Sequence, residues 1–298
     1  MKATSLKLCK RMSIEQVFQA ITVHCMAQIQ ANGAVLRKAH DVTGLHQMRV
    51  GVRRLRSALA AFKDVLRIPE EIHQELDWLA APLGAARDWD VLTGSTLPAV
   101  VRELGDDIQA ADVLLAVRER SSVMHAAVTA LVNSERYARL MLSFTRWVTG
   151  RGWREGMSPE DLERLESPGA TYGRDLLTHH QHRLLKHGGK LHAAEPKACH
   201  RLRIAAKKMR YATEFFQSFF PAKQVQSYVE ALSTLQDGLG RLQDAAVADR
   251  LLMEVRDERP DLGPDIEWIR KHLAPHIKGD DLKIRKELKK CASIKFLG

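Results

Sequence analysis

Cysteine is scarce and scattered. The four copies stand at positions 9, 25, 199 and 291, with no CxxC pair and no dense framework. That pattern excludes a disulfide scaffold and thiolate zinc modules, and it points to reduced thiols in a cytoplasmic protein. Long apolar runs are also missing: none reaches the ~18 residues that a membrane span needs. The basic start, MKATSLKLCKRMSIEQVF, lacks the apolar centre of a secretory leader. The expectation is a soluble, intracellular chain with no membrane partner. Aromatics supply only 6% of residues, and acids are outnumbered, 36 Asp and Glu against 46 Lys and Arg, for a formal charge of +10. A surface of that sign attracts polyanions such as nucleic acid or phosphate polymers. The 13 histidines add positive charge below their ordinary pKa of about 6.5.

What is present is helix. Alternating strand patterns are weak and i, i+3, i+4 apolar spacing is widespread, so the fold class is all-α. Ser13 is placed to cap a first helix to about residue 38, and HDVTG turns the chain into a second over about 45–67. Pro69 and the acids after it open a third, about 70–86. Long helical patterns cover about 107–149, with Ser134 capping a restart near NSER. The Gly- and Pro-rich stretch 150–170 is the best internal boundary and holds a short helix opened by Ser158 and Pro159. Helices resume over about 171–193, 195–220, 223–256 and 265–291. One domain over 13–290 follows, with a first half at 13–149 and a second at 171–290.

The halves repeat each other. LHQMRVGVRRLRSALAAF (45–62) aligns with HRLRIAAKKMRYATEFF (200–216), pairing His46 with His200, Arg49 with Arg203, Arg53 with Lys207, Arg54 with Lys208, Arg56 with Arg210 and Phe62 with Phe216. A second element follows each copy. Leu83, Gly84, Asp88 and Val91 pair with Leu239, Gly240, Asp244 and Val247, at an offset of 156 against 154 for the first element. Two matched elements in the same order at nearly the same distance indicate two related helical bundles, pseudo-symmetric about a twofold axis.

At about 100° per residue, His46, Arg49, Arg53 and Arg56 fall in an arc of roughly 80°. Met48, Val52, Leu55, Leu59 and Phe62 fall in a separate arc, the core side. The cationic strip is about 15 Å long, and His200, Arg203, Lys207 and Arg210 form its counterpart. Like charges at i, i+3 and i+4 each cost a helix a few tenths of a kcal/mol. An ordinary solvated face mixes signs. Two strips that keep the same unmixed spacing are explained by one long polyanion lying across both.

These two motifs, HQMRVGVRRLRSAL with LGAARDWDVL and HRLRIAAKKMRYATEFF with LGRLQDAAV, resemble the CHAD family, the conserved histidine α-helical domain. The resemblance spans about 13–290. It implies paired helical bundles with a basic groove or pore between them that binds inorganic polyphosphate, without catalysis and without a cofactor. Carried over position by position, the contacts it implies are His46, Arg49, Arg53, Arg54 and Arg56 in the first half. In the second they are His200, Arg203, Lys207, Lys208, Arg210 and Tyr211, with Arg183, Lys186 and Lys190 from the preceding helix. Association with polyphosphate granules, as a tether or regulator, follows from the same resemblance. Ser57 stands where Tyr211 does, so the halves are not equivalent there.

The chemistry of the residues agrees. Arg offers bidentate donors to phosphate oxygens and Lys a compact charge. The strips hold almost no aromatic side chains, whereas single-stranded nucleic-acid binders interleave rings with their cations. A basic helical nucleic-acid-associated protein remains the competing reading. Phosphoryl transfer through His46 or His200 lacks a carboxylate in either strip to orient the ring. Asp88, Asp90 and Asp244 read as braces for arginines rather than metal ligands, and HHQH and HRLLKH match zinc spacing only loosely. No metal is expected. Trp78 and Trp89 read as core.

Overall fold

A computed structural model describes residues 6–104, 110–189, 196–273 and 277–294. Twelve α-helices are described: α1 (Ile14–Leu36), α2 (Val42–Phe62), α3 (Glu70–Val91), α4 (Leu97–Leu104), α5 (Ala110–Val132), α6 (Glu135–Thr149), α7 (Pro159–Glu166), α8 (Gly169–Gly189), α9 (Pro196–Phe216), α10 (Ala222–Glu258), α11 (Gly263–His272) and α12 (Ile277–Ser293). Among the described residues, no helix is long and apolar enough to cross a membrane.

Local chemistry sets the helix starts. Ser13 caps α1 in a reciprocal box with Gln16, and Ser134 and Ser158 accept the Tyr137 and Asp161 amides at the starts of α6 and α7. Asp41 caps α2 by accepting from the Gly44 amide, so that helix begins three residues earlier than its basic motif suggests. The main departure from the periodic pattern is α3. It passes through Pro82 without ending and continues into a π-helical turn, Leu92–Thr96, and then α4. Proline withholds one backbone hydrogen bond, the one owed to the Trp78 carbonyl. Leu83, Ala86 and Trp89 continue the buried stripe beyond it, and that burial holds the helix together. The pattern expected over 265–291 is divided between α11 and α12, with 274–276 outside the described residues.

The main core draws on both halves. Met48, Val52, Leu55, Leu59 and Phe62 from α2 join Leu202, Met209 and Phe216 from α9, all at most 1% exposed. Gly173 on α8 lets α9 close in, because a Cβ there would meet the Phe216 ring at 2.4 Å. A second cluster gathers Trp89 and Leu92 with Leu97, Val113, Val117, Leu251, Leu252 and Ile266. Trp89 is thus core, and Trp78 is half-buried beneath the Arg136 guanidinium at 4.3 Å.

The segment between the halves is packed, not loose. Trp153 is fully buried, edge-on to Phe18 at 5.0 Å and to Trp147 at 5.3 Å. Its indole nitrogen donates to Glu15 Oε1 at 2.8 Å, and Arg154 adds a two-pronged bond to the same carboxylate at 2.6 Å on each arm. Burial alone would raise the Glu15 pKa. The hydrogen bonds from Arg154 and Trp153, with the charge of Arg151, outweigh it and hold the carboxyl below its usual value. The Ile14 amide also donates to the Ser167 carbonyl and the Gly169 amide to the Met12 carbonyl, tying both ends of the segment to the start of α1.

Candidate functional site

The two copies of the basic motif lie on α2 and α9, which pack against each other. Each core stripe faces inward, so each cationic strip is left along the seam. A groove of about 600 Å³ opens there, with Arg53, Arg56, Lys207, Lys208 and Tyr211 in its walls. A smaller hollow of about 120 Å³ between α2 and α3 shares Arg53 and Arg56 with it and adds Arg49 and Gly84.

Three side chains meet the residue with which the alignment pairs them. The Phe62 and Phe216 rings are 6.2 Å apart. Arg53 and Lys207 lie within each other's field, as do Asp88 and Asp244. The glycines of the second element repeat a contact as well. A Cβ on Gly84 would lie 3.9 Å from Arg49 Nε, and one on Gly240 would lie 3.2 Å from Arg203 Nη1. In each half an arginine of the partner helix lies across the glycine, but only at Gly240 would a side chain crowd it.

The electrostatics are those of crowded, underneutralised cations. Burial, then repulsion from Arg203, Arg53 and Arg49, pushes the Lys207 ammonium down to about 8, with Asp244 pulling the other way. Arg49 is lowered by burial and by Arg53, and Arg203 chiefly by burial. His46 is lowered by burial and then by Arg87, Arg53 and Arg49, so it is neutral over most of the physiological range. Its buried Nδ1, like the buried Nε of Arg53, has no hydrogen-bond partner. Asp88 is raised by burial against the pull of Arg49 and Arg250; it faces Arg49 as Asp244 faces Arg203. The aspartates of the second element therefore sit beside the arginines of the first.

The remaining candidates divide by partner. Arg54 donates to Glu214 Oε2 at 2.7 Å and lies 5.5 Å from the Phe215 ring centre, and Arg210 donates to the other oxygen of Glu214 at 2.9 Å and to Gln236 at 3.2 Å. Glu214 thus clips the two helices together, engaging Arg54 beside the α2 strip and Arg210 of the α9 strip. Arg56 pairs with Asp77 at 2.5 Å, a contact half open to solvent. The Arg53 guanidinium lies 5.4 Å from the centre of the buried Tyr211 ring. Lys208 is exposed at the groove, and His200 and Arg183 are exposed on their helices, Lys186 in the last turn of α8. Lys190 lies outside the described residues.

The motif reading did not include His73, Asp77, His180 or Ile204, which also line the groove. His180 is driven down to about 4 by burial and by His179, Lys208 and Arg183. Only the HHQH run pointed toward it, and that run has no partner in the first half.

A family model described as the CHAD domain matches residues 20–253. The crystal structure of the CHAD domain from the plant Ricinus communis is similar to this chain over 97% of its length and 96% of that chain, with 33% identity and a TM-score of 0.84. PptA from Streptomyces chartreusis shares the fold at 14% identity, with a TM-score of 0.64 over 95% of this chain and 99% of that one. No curated protein matches the sequence.

Proposed function

This chain belongs to the CHAD domain family, and from that premise we propose that it binds inorganic polyphosphate along the α2–α9 seam, by contact alone and without turnover. The observation that carries the proposal is the crowding of cations at the seam: Arg53, Arg56, Lys207 and Lys208 line one groove, with Lys207 half-buried in the field of Arg49, Arg53 and Arg203. Cations assembled at that density are strained until an anion joins them. A run of phosphates supplies one charge per unit and accepts bidentate bonds from arginine.

The rings nearby favour phosphate over bases. Tyr211 and Phe215 line the groove, but guanidiniums of Arg53 and Arg54 lie against them, so they are engaged as packing for cations rather than as stacking platforms. His46 belongs on this reading as a neutral ring at the end of the strip. Arg54 and Arg210 hold the seam through Glu214, and Arg56 becomes a ligand when phosphate displaces Asp77. The biological role that fits is a tether or regulator at polyphosphate granules.

The test is binding of long-chain polyphosphate against single- and double-stranded DNA of matched charge, at one moderate salt concentration. Polyphosphate should bind much more tightly, and more tightly as it lengthens. Reversing Arg49 and Arg53 to Glu, or Arg203 and Lys207 to Glu, removes at least two charge-assisted contacts at roughly 1.5–3 kcal/mol each, a loss of about a hundredfold or more. Reversing Lys289 and Lys290 should change little. If DNA binds better, the protein is a nucleic-acid binder. If all reversals weaken binding equally, the effect is bulk charge.

A further inference from the structure

Away from the groove, three residues from three separate elements converge. His40 lies in the turn between α1 and α2, Asp90 in the last turn of α3, and His125 in the middle of α5. One ligand atom from each lies within 4.8 Å of the other two. Asp90 and His125 are buried, with side chains 2% and 3% exposed, while His40 is exposed. The His125 Nε2 and Asp90 Oδ1 are 2.7 Å apart, and the His40 ring stacks on His125 with centroids 3.6 Å apart.

We propose that His40, Asp90 and His125 form a binding site for a divalent transition-metal ion of the zinc class, with at least one coordination position left to water. This inference does not rest on the polyphosphate reading. Two imidazoles and one carboxylate are a donor set that suits zinc. The independent observation is Asp90 Oδ2, which is buried without a hydrogen-bond partner among the described residues. The Arg87 guanidinium is 4.0 Å from it, beyond hydrogen-bond range. A buried carboxylate oxygen left open in this way is costly, and a cation is the natural partner for it.

Closing the site needs small movements. Ligand atoms of a tetrahedral zinc ion lie about 3.3 Å apart, given metal–ligand lengths near 2.0–2.1 Å. The His125–Asp90 pair must therefore open slightly, and the exposed His40 ring must turn out of its stack to aim a nitrogen at the same point. Ligation through His125 Nε2 requires the tautomer with the ring proton on Nδ1, so the direct hydrogen bond to Asp90 is given up as the ion enters. Ser121, whose hydroxyl is 3.5 Å from Asp90 Oδ1, stands where a second-layer donor would steady the carboxylate. The ion would tie the α1–α2 turn to α3 and α5.

The experiment is equilibrium dialysis of the full chain against Zn²⁺, without polyphosphate, with visible absorption of the Co²⁺-loaded protein as a second readout. One saturable equivalent is expected, together with a Zn²⁺-dependent rise in Tm. His40→Ala removes an exposed ligand and leaves the His125–Asp90 bond intact, so it should fold while losing affinity at least tenfold and changing the Co²⁺ spectrum. Asp90→Asn should weaken binding further. His182→Ala, in the exposed histidine run of α8, should bind as the parent does. The proposal fails if no saturable equivalent is found, if His40→Ala binds as tightly as the parent, or if His182→Ala abolishes binding.

Discussion

Lys207 makes the proposed groove sensitive to pH at a point where few other groups titrate. Its ammonium titrates at about 8 in the free protein, against an ordinary value of 10.5. A bound phosphate chain supplies the missing negative charge and restores a high pKa, so the complex keeps the proton. From pH 7 to pH 9 the charged fraction of the free protein falls from about nine-tenths to about one-tenth, and the apparent affinity falls by about tenfold with it. Internal phosphates of a long chain stay singly charged across this range, so the ligand contributes little. The folding linkage has the opposite sign. The unfolded chain holds the Lys207 proton up to about pH 10.4 and the native chain only to about 8. The cost to stability is full below pH 8 and is relieved as pH rises from there toward 10.5. The free protein should therefore gain stability from Lys207 deprotonation over the same window in which it loses affinity. The assay is calorimetric titration of long-chain polyphosphate at constant ionic strength from pH 6.5 to 9.5. Lys207→Arg, which stays charged throughout, should bind at pH 9 nearly as well as at pH 7. A Lys207→Arg variant that keeps the tenfold decline would show that the pH dependence arises elsewhere and that the crowded-cation argument is wrong.

Other consequences can be checked on the same protein. Gly240→Ala places a methyl 3.2 Å from Arg203 Nη1, whereas Gly84→Ala leaves 3.9 Å to Arg49; the first should weaken polyphosphate binding about threefold by displacing a charge-assisted donor, and the second should not, as titrations of both will show. Arg54→Ala removes one of the two cations on Glu214 and should lower unfolding free energy by roughly 2–3 kcal/mol, with Arg210 retaining part of the pairing; urea denaturation measures it. Glu15→Gln should cost roughly 2 kcal/mol near neutrality. Because the native Glu15 pKa lies below the ordinary 4.5, that difference is present above about pH 5 and shrinks as pH falls through the native value; urea midpoints between pH 3 and 7 test the sign.

The helical fold was legible because its signals are local. Ser13, Ser134 and Ser158 are capping residues by chemistry and serve as caps, and the α2 stripe from Met48 to Phe62 is buried as its spacing requires. The helix expected over 70–86 already ran through Pro82, but its extension to Val91 and on into the π-helical turn was not legible, because the packing beyond residue 86 comes partly from α5. The strips themselves could be read, but not the partners that divide them. Glu214 is 160 residues from Arg54, and no periodicity within either helix announces that one acid will engage a cation of each helix. A shorter separation, 35 residues, was still enough to hide the cluster around Asp90. Its neighbours suggested an arginine brace, yet its 2.7 Å partner is His125, from a helix with no motif. The segment 150–170 looked like a linker by composition, but Trp153 is a core residue, since a single large ring can anchor a Gly-rich segment.

The pairing of equivalent residues bears on the ligand as well as on the fold. Phe62 lies beside Phe216, Arg53 interacts with Lys207 and Asp88 with Asp244, as side chains next to a local twofold axis do. A groove built about such an axis looks nearly the same from either end. Linear polyphosphate has that symmetry too, for its chain reads identically in both directions, whereas a single nucleic-acid strand runs 5′ to 3′ and does not. If the proposed groove has that symmetry, a directionless polymer is its natural match. The departures from symmetry then carry their own meaning. Arg53 against Lys207 and Ser57 against Tyr211 place the titrating cation and the ring on the α9 side. A phosphate chain bound as proposed would meet one wall whose charge varies with pH and one whose charge does not. Burial is the first cause of the Lys207 shift and the cations of the seam follow it, so exchanging Arg53 and Lys207 should weaken the pH dependence without abolishing it. If the swapped protein loses the pH dependence altogether, the local surroundings of position 207, rather than the shared field of the seam, depress the lysine.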